Sequence, residues 1–100
     1  MKIKLKSTVQ QAKTFDYVLH TLEVTEASIL DYLKISNLFQ SPDWGTCKWE
    51  EYLYKLDLPN SPSIRNLKEN SFDLEINDYE NGLLKYLQDF LTDNELDYEM

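Results

Sequence analysis

The sequence has few of the residues from which catalytic and metal sites are usually built. It contains one cysteine, one histidine, two glycines and three prolines in 100 residues. A single Cys47 excludes an internal disulfide and any site with several cysteine ligands. Two isolated glycines cannot form a glycine-rich phosphate loop. The sequence also has no apolar run long enough for a membrane span or a signal peptide. We therefore expect a cytoplasmic protein.

The remaining candidates for catalysis and metal binding are weak. Cys47 and His20 could form a nucleophile and base, but they are far apart in the sequence and nothing in their spacing brings them together. Adjacent carboxylates such as Glu50 and Glu51 are typical of a solvated surface. The acidic runs lack the glycine and the ligand spacing of a calcium-binding loop. The sequence therefore predicts no enzyme, no metal and no cofactor.

Basic residues are almost missing from the last third of the chain. Residues 69–100 hold ten acids and only one base, Lys85, whereas residues 1–68 hold eight acids and nine bases. The net charge of −8 is therefore a property of the C-terminal third. Nucleic acids and anionic membranes bind through clustered Lys and Arg, so we expect the protein to bind neither directly. A basic protein surface is the partner that such a field would attract.

Composition and apolar periodicity predict one α+β domain over residues 1–100. The content of 42% hydrophobic and 13% aromatic residues is that of a folded chain of single-domain size. Alternating apolar residues predict strands near 2–6 and 71–77, paired with each other. Residues 8–22 fit both a helical stripe and a strand alternation, and Ser7 with Gln10 resembles a capping box, which favours a helix.

Helical periodicity and capping residues predict the rest of the fold. The expected helices lie near 25–38, capped by Thr25, near 46–56, and near 80–92, preceded by Asp78. A further short helix is expected from Ser61 to about Lys68, and residues 95–100 form either an edge strand or an acidic tail. The predicted architecture is thus a two- or three-stranded sheet packed with three to four helices.

Some of the acids have a structural explanation and others do not. The lysines of the strand at 2–6 can pair across the sheet with the carboxylates of Asp73 and Glu75. Asp78 and Glu80 lie at the predicted start of a helix, where the helix dipole favours negative charge. The acids on and just beyond the last helix repel one another or lie at the unfavourable end of the helix dipole. These are the candidate partner-binding residues: Asp89, Asp93, Glu95, Asp97 and Glu99.

Aromatic residues form a second candidate surface. Trp44, Trp49, Tyr52 and Tyr54 lie close together in the sequence. Trp49 and Tyr52 belong to the predicted core, whereas Trp44 and Tyr54 could be exposed as a contact patch, where aromatic rings commonly carry binding energy.

Two function classes remain open. The first is a small acidic protein that inhibits or neutralises a basic partner, such as a nuclease toxin or a nucleic-acid-binding complex. The biological settings that suit this physics are an immunity protein or antitoxin that covers a nuclease toxin, or a phage anti-defence inhibitor such as an anti-CRISPR protein. In each, carboxylates would take the place of phosphates. The alternative is a non-catalytic interaction or assembly module that binds a partner or itself through the aromatic patch. The sequence leaves the oligomeric state open.

Overall fold

A computed structural model describes residues 1–40, 62–79 and 82–100, with the side chain of Gln40 left out. These ranges contain four strands and two helices: β1 (Lys2–Gln11), β2 (Asp16–Thr25), α1 (Ile29–Gln40), β3 (Ser63–Arg65), β4 (Phe72–Asp78) and α2 (Leu83–Asp93). No helix within these ranges is long and apolar enough to cross a membrane.

The strands form one antiparallel sheet in the order β1-β2-β4-β3. β1 and β2 are a long hairpin in which Leu5 lies opposite Leu22, and Leu22 in turn lies opposite Leu74 of β4. β2 is therefore a central strand with neighbours on both sides. Its residues are rich in Val, Leu, Thr and Tyr, which suit a half-buried pleated surface.

The sheet has one buried face and one polar face, because side chains alternate along each strand. The buried face packs with α1 and α2 into one core of Ile3, Leu5, Leu22, Val24, Phe72, Leu74, Ile76, Ile35, Phe39, Leu83, Leu87, Phe90 and Leu91. Phe39 of α1 meets Phe90 of α2 with ring centroids 5.2 Å apart. The two helices thus share the same side of the sheet.

The predicted fold class is wrong. A two- or three-stranded sheet under three to four helices does not fit a four-stranded antiparallel sheet with two short helices in the described residues. The strand at 2–6 pairs with β2, not with the strand at 71–77, which is found at Phe72–Asp78. The helix expected at 46–56 lies outside the described residues.

Two predicted helices are strands in the structure. Residues 8–22 contribute the end of β1, the hairpin turn and most of β2. The same segment has both a helical spacing, at Ala12, Phe15, Leu19 and Leu22, and a strand alternation. Pairing between β1 and β2 stabilises the alternating, extended conformation, so the helix does not form. The segment from Ser61 to Lys68 was also expected to be helical, but Ser63–Arg65 pairs with β4.

The first helix begins later than expected, because Ser28 and not Thr25 caps it. The Asp31 backbone N–H donates to Ser28 Oγ at 3.2 Å, and the Ser28 N–H donates to the Asp31 carboxylate at 2.9 Å. This reciprocal pair satisfies two backbone N–H groups at the helix start. β2 ends just before, where Glu26 adopts a positive φ of 52°.

Replacing Ser28 with alanine is expected to lower the free energy of unfolding by about 1 kcal/mol, because the Asp31 N–H loses its acceptor. Urea unfolding measures the loss. Thr92→Ala, an exposed substitution inside α2, is the control and should not lower the free energy of unfolding.

The Ser28 backbone hydrogen bond also holds the pKa of Asp31 below its ordinary value. The contribution of that bond is therefore present above about pH 4 and is lost as the pH falls through the lowered pKa, which NMR titration of Asp31 can follow.

The last helix lies near its expected position, at Leu83–Asp93 instead of 80–92. Asp78, the last residue of β4, accepts hydrogen bonds from the backbone N–H groups of Gly82 and Leu83 at 3.1 and 3.0 Å. It thereby anchors the start of α2 to the end of the sheet.

Beyond α2, the chain returns to the outer edge of β1. The Leu5 N–H donates to the Glu99 carbonyl at 2.7 Å, and the Glu99 N–H donates to the Ile3 carbonyl at 2.9 Å. This parallel bridge between Lys4 and Glu99 resolves the alternatives for residues 95–100 in favour of pairing with the sheet edge.

Candidate functional site

Asp89 and Asp93 are exposed on α2, four residues apart. Lys85 Nζ donates to the Asp89 carboxylate at 2.9 Å, and this bond raises the pKa of Lys85 above its ordinary value. Asp89 is therefore partly neutralised within the helix. With Asn94, the partly buried ring of Tyr86 and the buried ring of Phe90, the two acids line a shallow groove of about 250 Å³.

Glu95 lies in the turn that ends α2 and has a left-handed backbone, with φ of 59°. The Glu95 N–H donates to the Thr92 carbonyl, and the Leu96 N–H donates to the Leu91 carbonyl at 2.9 Å. These bonds form a Schellman motif, in which the position of Glu95 is usually glycine. A non-glycine residue there costs about 1 kcal/mol or more, and an anion at this end of a helix adds a further cost.

Asp97 and Glu99 are exposed, while Leu96 is buried and Tyr98 packs against the core. The bridge with Lys4 places Glu99 on the side of the sheet that carries the β1 lysines, opposite the helices. The five predicted acids therefore do not share one surface. Asp89, Asp93 and Glu95 lie at the C-terminal end of α2, whereas Glu99 lies at the edge of β1.

The polar face of the sheet shows how other acids are compensated. Glu23 pairs with Lys6, Glu75 lies 3.7 Å from Arg65 Nε, and the Asn66 side chain donates to Asp73 at 2.7 Å. The prediction that the lysines of the strand at 2–6 pair with Asp73 and Glu75 is wrong, because β2 lies between that strand and β4. Arg65 and Asn66 are the partners of these two acids. The acids of this face nevertheless serve the sheet.

The aromatic candidates Trp44 and Tyr54 lie outside the described residues. The structure shows a different apolar surface on α1, where Ile29 and Leu30 are 74% and 73% exposed. Leu33 and Leu67 are exposed as well. A groove of about 290 Å³ lies beside them, and its apolar lining comes from Ala27, Ile29, Tyr32, Leu67 and Phe72. We call the exposed side chains of Ile29, Leu30, Leu33 and Leu67, together with this groove, the α1 patch.

Sequence reasoning missed the α1 patch because it predicted a helix near 25–38 without separating the apolar residues that the core would bury from those that would stay exposed. The signal was the distribution of apolar residues around the whole circumference of residues 29–39, which is more than one core face requires. Ile35 and Phe39 are buried in the core, and Tyr32 and Leu38 pack against it while partly buried. Ile29, Leu30 and Leu33 remain exposed.

Sequence reasoning also missed a chain of polar side chains that crosses the sheet. Ser7 Oγ lies 2.7 Å from His20 Nδ1, and His20 Nε2 lies 2.8 Å from Asp78 Oδ2. His20 and Asp78 are 2% and 1% exposed, whereas Ser7 is exposed. The polar partners of His20 among the described residues are Ser7 and Asp78. Cys47, for which His20 was considered as a base, lies outside the described residues.

No cluster of three or more potential metal ligands occurs in the part of the chain that the structure describes. No family model, curated protein or solved structure matches the chain. The function must therefore be argued from the surfaces themselves.

Proposed function

We propose that this protein is a small acidic binding protein of the cytoplasm that inhibits or neutralises a basic, nucleic-acid-handling protein. An immunity protein, an antitoxin and a phage anti-defence inhibitor are the biological roles that suit it. The proposed contact consists of Asp89 and Asp93 on α2, Glu95 in the turn that ends the helix, and Asp97 two residues further along the chain. We name these four residues the acidic end of α2.

The observation that carries the proposal is Glu95. It combines a left-handed backbone with an anion at the negative end of the helix dipole, and both features lower stability. Residues that break local folding rules without compensation are most often found at functional sites. A glycine would relieve both costs, and we infer that the Glu95 carboxylate contributes to the contact surface and not to the stability of the fold.

The acids of this surface differ from those of the sheet in that most of them have no basic partner among the described residues. On the polar sheet face, Glu23, Asp73 and Glu75 each have a basic or amide partner. Within residues 1–40, 62–79 and 82–100, the acids Asp93, Glu95 and Asp97 make no ion pair. Their field therefore extends into solvent. Carboxylates one helical turn apart are separated by about 5–6 Å, which is similar to the phosphate spacing along a nucleic-acid strand.

Replacing Glu95 with glycine is expected to raise the free energy of unfolding by about 1 kcal/mol and to weaken binding of the partner. Glu95→Ala is the matched control: it removes the same charge but keeps the left-handed strain, so it should weaken binding without the full gain in stability. Urea unfolding and affinity capture measure the two effects. A stabilised Glu95→Gly variant that captured the partner as well as the native chain would contradict the proposal.

The partner itself can be sought by capture from the source cells at low and high salt, with identification by mass spectrometry. A triple variant, D93K/E95K/D97K, should lose the captured protein, and high salt should release it. The control variant D16K/E26K/E69K changes the net charge equally at exposed acids elsewhere and should retain it. Equal loss in both variants would mean that net charge, and not this surface, governs binding.

The α1 patch supports a second candidate, the interaction or assembly module. Contiguous exposed apolar side chains commonly mark a protein-binding surface. Binding through Ile29, Leu30 and Leu33 would be nearly indifferent to salt and would be abolished by Leu30→Ser with Leu33→Ser, which leaves the acidic end of α2 intact. The same capture experiment therefore separates the two candidates.

A further inference from the structure

Ser7, His20 and Asp78 form a row across three adjacent strands, on the face of the sheet that the helices cover. Ser7 and His20 are directly opposite each other in the β1–β2 ladder, and Asp78 lies diagonally from His20 on β4. The two hydrogen bonds of 2.7 and 2.8 Å join them into one chain from an exposed hydroxyl to a buried carboxylate. A serine, an imidazole and a carboxylate in this order are the parts of a base-activated nucleophile.

The surroundings of Asp78 fix the direction of these hydrogen bonds. Asp78 Oδ1 accepts the backbone N–H of Gly82 and Oδ2 accepts that of Leu83, so both carboxylate oxygens are acceptors. The proton in the bond between His20 Nε2 and Asp78 Oδ2 is therefore assigned to His20. In the neutral imidazole, Nδ1 is then an acceptor, and the Ser7 hydroxyl must donate to it. This is the direction in which a base withdraws a hydroxyl proton.

The edge of β1 adds a donor for the charge that an attack would create. The Leu5 N–H and the Ile3 carbonyl point away from β2, since both bond to Glu99. Backbone groups alternate in direction along an antiparallel strand, so the Ser7 N–H points to the same outer edge. A backbone N–H next to the nucleophile is the kind of group that stabilises the oxyanion of an acyl-transfer intermediate.

We propose that Ser7 is a base-activated nucleophile that takes up an acyl group from a small, activated carboxylic ester. Ser7 Oγ forms a bond to the ester carbonyl carbon while His20 Nδ1 takes the hydroxyl proton. The tetrahedral intermediate then expels the alcohol, which leaves with that proton, and the products are acyl-Ser7 and a free alcohol. Asp78 acts as a positioning residue that holds the imidazole in the required tautomer. Water can release the acid in a second step by the reverse use of His20.

This inference is independent of partner binding and goes against the expectation that the chain has no catalytic groups. Ser7 is an exposed residue on β1, the outermost strand of the sheet in the described residues, so an ester can approach its side chain from solvent. His20 and Asp78 are buried, which keeps water from competing for their hydrogen bonds.

The test is acetylation of the native protein by p-nitrophenyl acetate, followed by peptide mapping of the modified side chains over time. Ser7 is expected to be acetylated about 100-fold faster than the neighbouring exposed hydroxyl of Thr8, the size of effect that a positioned general base supplies. In denaturing urea, the two rates should become similar, because the alignment with His20 is lost.

Variants complete the design. Ser7→Ala should abolish the fast phase of p-nitrophenolate release, Thr8→Ala should retain it, and both should capture the protein partner as the native chain does. Acetylation of Ser7 at the rate of Thr8 in the folded protein would overturn the inference and would assign the three side chains a structural role only. That result would leave the proposed binding function untouched.

Discussion

Replacing Asp78 with alanine is expected to lower the free energy of unfolding by about 3 kcal/mol or more, because several buried hydrogen-bonding groups lose their partner at a cost of about 1–3 kcal/mol each. The Asp78 carboxylate is 1% exposed and accepts hydrogen bonds from His20 and from the Gly82 and Leu83 backbone. Without this carboxylate, His20 Nε2 loses its hydrogen-bond acceptor in the interior, and so do the backbone N–H groups of Gly82 and Leu83. The variant therefore damages the sheet and the helix together.

Urea-induced unfolding of the two proteins measures this loss. Asp89→Ala is the control, since Asp89 is exposed on α2 and bonds only to Lys85 among the interactions of the described residues. That change should shift the free energy by about 0.5 kcal/mol or less. A loss for Asp78→Ala no larger than for Asp89→Ala would show that the chain from His20 to α2 contributes little to the fold.

Leu22→Ala is expected to cost about 2–5 kcal/mol, because it leaves a cavity in the centre of the sheet. Leu22 is 0% exposed and lies between Leu5 on β1 and Leu74 on β4. No other strand can move into the gap, since β2 has paired neighbours on both sides. The expected cost follows directly from the central position of β2.

Leu30→Ala is the matched control for this substitution, with the same atoms removed from a side chain that is 73% exposed. Its expected effect on the free energy of unfolding is within about 0.5 kcal/mol. Urea unfolding of both variants compares a buried leucine with an exposed one in the same protein. Similar losses would mean that the α1 patch is covered in solution or that β2 is not central.

The strands and helices with strong one-sided periodicity could be read from the sequence. Phe72, Leu74 and Ile76 alternate with polar residues and form β4, and α2 buries the stripe that its spacing predicts. These elements are determined locally, because a period of two or of 3.6 residues suits only one regular structure when one face must be buried. The segregation of acids into the last third was equally plain.

The segment 8–22 shows where local information ended. Ser7 and Gln10 resemble a helix cap, yet Ser7 lies opposite His20 in a ladder and Gln10 lies opposite Tyr17. Both a helical stripe and an alternation were present, and the hydrogen-bonding partner strand decided between them. The same limit explains the wrong pairing of the strand at 2–6, since alternation predicts a strand but not its neighbour.

The candidate sites divide along the same line. The acidic end of α2 was proposed from the sequence because charge is a property of each residue, whereas the left-handed backbone of Glu95 appears only in the structure. The row from Ser7 through His20 to Asp78 was not predictable, because its members are 13 and 58 residues apart in the sequence. The sequence by itself determined the charge of this protein and the faces of its periodic elements. Strand order and register, which depend on contacts between distant residues, decided which side chains meet.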